Sequence, residues 1–259
     1  MEKYAKSSDG QNIHYKESGH GNPSILFVHG WLGNGEWWSS QQEYFKEKYH
    51  IVQMDLAGHG KSGTSRKEWT SELYADDIQA VANQIDSREI ILVGHSMSGA
   101  YVLEAALKTP DVKALILIDT VKNLDEAFTE EQAEQILFVH YRNDFKNAVE
   151  NILPQYLFTG KTPSDVKQKL QDEFLQNTSE KAIDLLRPLY KKDFRETAAK
   201  VKIPVRAISS DNFPTNIENN RKYLKDYNSI EIAGTGHYPM LENPEEFNRI
   251  LDDILKELS

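Results

Sequence analysis

The chain has 259 residues, 39% hydrophobic and 27% charged, the composition of a globular protein able to bury a large core within one domain. Forty acidic residues against thirty basic ones give a formal net charge of −10, a sign that disfavours nucleic acid and anionic membrane surfaces as partners. Cysteine is absent, which excludes disulfides, thiolate metal sites and a cysteine nucleophile, and no apolar run reaches the ~18 residues of a membrane span. Met1-Glu2-Lys3-Tyr4 leads into polar sequence with no apolar signal core, so a cytoplasmic protein is expected.

In chain order, Asn12 to Lys16 predicts an antiparallel edge strand. Ile25 to His29, Ile51 to Met54, Ile90 to Gly94 and Ala114 to Ile118 are short runs of Ile, Val and Leu without strict alternation. Runs of that kind suit parallel strands covered by helices on both faces. Amphipathic segments near Glu36–Glu47, Ser71–Ile85 and Met97–Lys108 alternate with them, which predicts an α/β fold with a mostly parallel, doubly wound sheet.

From Thr120 to Ala198 the rhythm stops. Helix starts are expected there at Thr129 with Gln132 and at Thr162-Pro163 with Asp165, and no strand is expected. The aromatics Phe128, Phe138, Tyr141, Phe145, Tyr156 and Phe158 suit either a private helical core or the roof of a site. The alternation resumes with a strand over Pro204 to Ile208, a helix near Thr215–Tyr227 and a strand near Ser229–Ala233. A last helix starts at Asn243-Pro244-Glu245-Glu246, where a cap residue, a first-turn proline and two acids meet the positive end of the dipole. The expected division is therefore a core over 1–119, a helical insertion over 120–198 and a second part of the core over 199–259.

Chemistry concentrates in Ile90-Ile91-Leu92-Val93-Gly94-His95-Ser96-Met97-Ser98-Gly99. An apolar strand runs into a serine among small residues and a helix follows at once, the context of a nucleophile on a strained strand-to-helix turn. Ser96 stands at the apex, whereas Ser98 would fall inside the first helical turn. A serine hydroxyl needs a base. Of eight histidines, His237 lies in the glycine-flanked loop Gly234-Thr235-Gly236-His237-Tyr238-Pro239, between a strand and the last helix, where α/β sheets place functional groups. The carboxylate that orients this base is expected at Asp211, directly after the strand ending at Ile208, with Asp119 at the end of Ala114–Ile118 as its rival. Backbone donors for a developing oxyanion are expected at Met97 and at Trp31, the latter after the strand-ending His29-Gly30.

With these residues in view, the chain resembles the α/β-hydrolase superfamily, in particular its capped bacterial esterase-like members. The resemblance rests on His29-Gly30-Trp31, Asp55-Leu56-Ala57-Gly58-His59-Gly60-Lys61-Ser62, Gly94-His95-Ser96-Met97-Ser98-Gly99, and Gly236-His237 with Glu242-Asn243-Pro244. It implies the α/β-hydrolase fold with an inserted helical cap, a structural role for the loop containing His59, and an acyl-enzyme on Ser96. Two positions depart from the family pattern: Ser98 replaces the second glycine of the elbow, and the usual spacing from a glycine to the acid would fall on Phe213. The expected activity is hydrolysis of a small to medium carboxylic ester, with no cofactor and no metal. Carbon–carbon hydrolase, lactonase, acyltransferase and perhydrolase chemistry can use the same residues, and a ligand receptor retaining them is the reading from another class. Ester turnover separates the receptor from the enzymes. The oligomeric state and the physiological substrate are not encoded in these motifs.

Overall fold

The computed structural model describes residues 2–126 and 128–258. Its sheet has eight strands: β1 (Glu2–Lys6), β2 (Asn12–Ser18), β3 (Ser24–Val28), β4 (His50–Met54), β5 (Ile90–His95), β6 (Val112–Ile118), β7 (Val205–Ser210) and β8 (Tyr227–Ile232). Their spatial order is β1-β2-β4-β3-β5-β6-β7-β8. β1 and β2 pair antiparallel, as do β2 and β4, and every later pairing is parallel. The predicted strand at Asn12 is thus present but lies second from the edge. β1, whose Glu2-Lys3-Tyr4 is polar and partly exposed, shields it and carries too little apolar signal to be read from the sequence.

The central strands β3, β4, β5 and β6 are buried along almost their whole length, as their unbroken apolar runs require. Helices cover both faces. Helix α1 (Ser39–Phe45) follows a 3₁₀ turn at Gly35–Trp38; α2 (Ser71–Ala82) is capped by the Thr70 hydroxyl, which accepts from the Leu73 N–H. Helix α3 (Met97–Ala106) has three alanines, lacks proline and is buried between sheet and neighbours. The last helix, Pro244–Leu258, lays Phe247, Ile250, Leu251, Ile254 and Leu255 against the core, an i, i+3, i+4, i+7 stripe.

Between β6 and β7 the described residues form helices only, from Leu124–Glu126 to Arg195–Lys200. Thr129 and Gln132 make the expected reciprocal capping box. Thr162 does not cap the helix Ser164–Leu175: its hydroxyl accepts from the Thr159 N–H and donates to Glu242. Two wide π-helical turns, Glu134–Phe138 and Ala148–Ile152, interrupt this segment. The first puts Ile136 and Leu137 on the surface of a cleft. No described helix is long and apolar enough to cross a membrane.

Backbone segments approach closely at the β5–α3 turn. A Cβ at Gly94 would stand 2.7 Å from the Ser98 carbonyl oxygen and 2.9 Å from Val102 Cγ2, both in α3. Gly94→Ala should therefore displace the turn, lowering stability by about 1–3 kcal/mol in urea titration. Gly160→Ala, where a Cβ meets nothing within 4 Å, should leave stability unchanged.

Candidate active site

Parallel strands deliver their carboxyl ends to one edge of the sheet, and three loops at that edge meet. Ser96 follows the last residue of β5 with φ 55° and ψ −123°, outside the regions comfortable for a non-glycine residue. Its N–H donates to the Ile118 carbonyl at 3.0 Å, which pins the strained turn to β6. Although it occupies the N-cap position of α3, its side chain caps nothing. The hydroxyl is left to face His237, with Oγ 2.8 Å from Nε2, while Nδ1 of the same ring lies 2.7 Å from Asp119 Oδ2. Burial alone would raise the pKa of Asp119, but the bond and charge of His237, and after them Lys122, outweigh it and hold the group well below the usual carboxylate range. An ionised carboxylate only accepts, so Nδ1 carries the proton and Nε2 presents a lone pair to the serine hydroxyl.

The acid next to His237 is therefore Asp119, not the expected Asp211. Asp211 is exposed, and its Oδ1 accepts from the Gly234 N–H at 2.9 Å, bracing the loop after β8. The cause is the alternation of side chains along β7. Ser210, one residue earlier, faces the site and donates both its N–H and its hydroxyl to Asp119 Oδ1 at 2.7 Å, whereas Asp211 points away. Asp119 in turn has φ 45°, and its N–H donates to the Ile208 carbonyl at 2.9 Å.

The Met97 and Trp31 N–H groups donate to no backbone carbonyl among the described residues, and Met97 is the first residue of α3, whose N–H has no intrahelical acceptor. Trp31 is held by its indole N–H, which donates to the Ala182 carbonyl at 2.7 Å, and by stacking on Tyr141. The loop before it is anchored by His29. That ring accepts the Leu56 N–H at Nε2, so its proton sits on Nδ1 and is donated to the Gly30 carbonyl. Ser98 explains its own departure from glycine: it is fully buried and its hydroxyl donates to the His29 carbonyl, tying α3 to the Trp31 loop. His59 is buried, with Nδ1 against the Ala57 carbonyl, and stands in a structural loop.

Two residues that the sequence motifs include, but to which they assign no role, also contribute. His95 is completely buried, and its Nε2–H donates to the His237 carbonyl at 2.7 Å; burial, with the His237 charge adding to it, pushes its pKa down to about 3, so it stays neutral. Glu242 accepts the Gly236 N–H at Oε2 and the Tyr238 N–H at Oε1, clamping the loop on both sides of His237. The His237 N–H donates to the Leu157 carbonyl at 2.7 Å, so the helical segment contacts the same loop.

Ser96 and His237 open into a cleft of about 490 Å³. Trp31 and Tyr238 line it, together with Phe128, Ile136, Leu137, Tyr141, Tyr156 and Tyr190 from the helical segment. No Lys, Arg, Asp or Glu is among its lining residues. Of the aromatics singled out from sequence, Phe138 and Phe158 are instead buried in packing, against Tyr141 and Tyr190 and against Tyr238. Among the described residues no group of three or more His, Asp or Glu side chains is placed to hold a metal ion.

Known proteins of the same build bear on this geometry. The chain is 28% identical over 268 residues to a Haemophilus influenzae protein provisionally named an esterase/lipase, covering 97% of this chain and 89% of the other. It is 22% identical over 241 residues to 3-oxoadipate enol-lactonase 2 of Acinetobacter baylyi, covering 90% and 89%. Among solved structures an esterase from Exiguobacterium antarcticum superposes with a TM-score of 0.85 at 19% identity, over 99% of this chain and 100% of that one, a likeness of fold. Residues 25–250 match the alpha/beta hydrolase family, and with its eight-stranded sheet and the serine turn after β5 the chain belongs to that family.

Proposed function

We propose that the protein is a serine hydrolase acting on small to medium, uncharged carboxylic esters through an acyl-enzyme. The observation that carries this reading is the unbroken hydrogen-bond chain from Ser96 Oγ through His237 to Asp119 at the floor of an apolar cleft. In the proposed cycle His237 Nε2 takes the Ser96 proton as Oγ attacks the ester carbonyl. The Trp31 and Met97 N–H groups stabilise the oxyanion, donors that need no reorganisation because the turn already holds them. His237 then gives its proton to the departing alcohol. Water, deprotonated by the same nitrogen, hydrolyses the acyl-enzyme and returns the proton to Ser96. The protonated ring formed at each attack is stabilised by Asp119.

The helical segment over 120–198 acts in this reading as a cap that selects the acyl group. A carboxylate-bearing substrate would have to leave water for a cleft without a cation, which is costly. That favours neutral esters over an acidic lactone, although a lactonase relative exists. A second recess of about 470 Å³, mostly apolar but rimmed by Lys122, Glu126, Lys192 and Asp193, shares Phe128, Leu189 and Tyr190 with the cleft, and those three side chains form the boundary of the acyl space in this reading.

A fluorophosphonate should label Ser96 and no other residue in the intact protein, read by peptide mass mapping, and Ser96→Ala should abolish both label and p-nitrophenyl ester turnover. Label on Ser98, or none on folded protein, would overturn the assignment. Asp119→Asn should lose roughly 10³-fold or more in kcat, because the imidazolium loses its counter-charge, while Asp211→Asn should lose less than about tenfold. Finally, Tyr190→Ala should move the chain-length preference of kcat/KM toward longer neutral acyl groups, measured with a p-nitrophenyl ester series. An unchanged ranking would mean that the boundary residues do not limit the acyl chain.

A further inference from the structure

The triad acid has a second ionic partner that the proposed reaction does not use. Lys122, three residues after Asp119, places Nζ 2.8 Å from Asp119 Oδ1, the oxygen turned away from His237. The ammonium is also held by the Phe213 carbonyl at 2.7 Å, the Ser210 carbonyl at 3.1 Å and the Ser210 hydroxyl at 3.3 Å. Its side chain is only 18% exposed, so solvent screens this contact less than it would screen a surface ion pair. Val121, with φ 50° on a β-branched residue, turns the chain back so that Lys122 reaches the acid, and the Lys122 carbonyl accepts from the Asn216 N–H at 2.7 Å.

We propose that Lys122 is a positioning residue that sets the working pH of the base: by neutralising part of Asp119 it keeps His237 deprotonated, and able to accept the Ser96 proton, at lower pH than Asp119 alone would allow. The inference rests on the serine-hydrolase reading above. The sign follows from the geometry. A bare carboxylate against Nδ1 favours imidazolium, and a cation on its far oxygen opposes that field. The two Ser210 donors hold the carboxylate in place independently, so the added effect of Lys122 is chiefly its charge.

Other titratable groups near the ring do not supply this charge. His95, under it from β5, is kept neutral by burial. Tyr238, beside it, is buried and has its hydroxyl pushed far up, so it too is neutral. Glu242 is engaged by the Gly236 and Tyr238 N–H groups, and Asp211 by that of Gly234. Lys161, from the helical segment, lies against Gly234 at the outer end of the loop, and His29 is buried and also held neutral.

The test is the pH dependence of kcat/KM on a neutral p-nitrophenyl ester for the wild type, Lys122→Met, Lys122→Gln, Lys122→Arg and Asp119→Asn, with circular dichroism to confirm folding. In Met and Gln the rising limb should move to higher pH by about one unit, with a plateau reduced by no more than about tenfold. Gln retains a donor without charge and serves if Met does not fold. Arg should return the limb to the wild-type position. A folded neutral variant whose limb stays in place, or an Arg variant displaced as far as Met, overturns the proposal and leaves Lys122 a loop tether only. Retained activity in Asp119→Asn would instead overturn the triad reading itself, so the two failures are distinguishable.

Discussion

The bond between His237 Nδ1 and Asp119 Oδ2 joins the end of β6 to the loop after β8 across the intervening β7, and the geometry of the whole edge depends on it. A carboxylate this buried would be costly without partners. Asp119 has four donors: the His237 ring, the Ser210 N–H, the Ser210 hydroxyl and the Lys122 ammonium. Three of the four come from outside the His237 loop, so the acid is fixed before it orients the imidazole. That order matters for chemistry, because an acid free to turn would hold neither the tautomer nor the direction of Nε2.

Strain gathers around the same point. The non-glycine residues with positive φ among those described are Leu32, Ser96, Asp119 and Val121. They sit in the loop after β3, at the serine turn after β5, at the end of β6 and at the turn that brings in Lys122. Such conformations persist only where surrounding contacts over-determine them. Here those contacts are identifiable: the Ser96 N–H on Ile118, the Asp119 N–H on Ile208 and the Ser98 hydroxyl on His29. Small residues let the layers close to that distance. A Cβ on Gly30 would meet the His95 ring at 2.6 Å, and one on Gly99 would meet Thr120 Cγ2 at 2.1 Å.

The helical segment is coupled to this machinery and does not merely cover it. The Leu157 carbonyl takes the His237 N–H, and Thr162 donates to the Glu242 carboxylate that holds Gly236 and Tyr238. The same segment supplies most of the apolar wall, so changes in the wall and changes in the placement of His237 are mechanically linked. Substitutions near Leu157 should accordingly alter the wall and the placement of His237 together, whereas among the described residues Tyr190 lines the cleft without a hydrogen bond to the His237 loop.

What the sequence determined by itself was everything written locally in the chain. Short Ile- and Val-rich runs such as Ile90–Gly94 suit buried strands, and a serine between Gly94 and the helix starting at Met97 leaves one residue at the apex. A lone histidine in a glycine-flanked loop before the last helix is equally local, as is the Thr129–Gln132 capping box. Tertiary structure decided the rest. Asp211 and Asp119 are equivalent in sequence terms, each just past an apolar strand. Which of them meets His237 depends on side-chain direction at the ends of β6 and β7, where Ser210 faces inward and Asp211 outward. The contacts of His95, Glu242 and Lys122, and the choice of Tyr141 over Phe138 as cleft wall, follow from which loops and helices pack together. Backbone propensity acts within a few residues, whereas the partner of a buried charge comes from a distant chain segment, as Ser210 lies 91 positions from Asp119, and no local pattern records that choice.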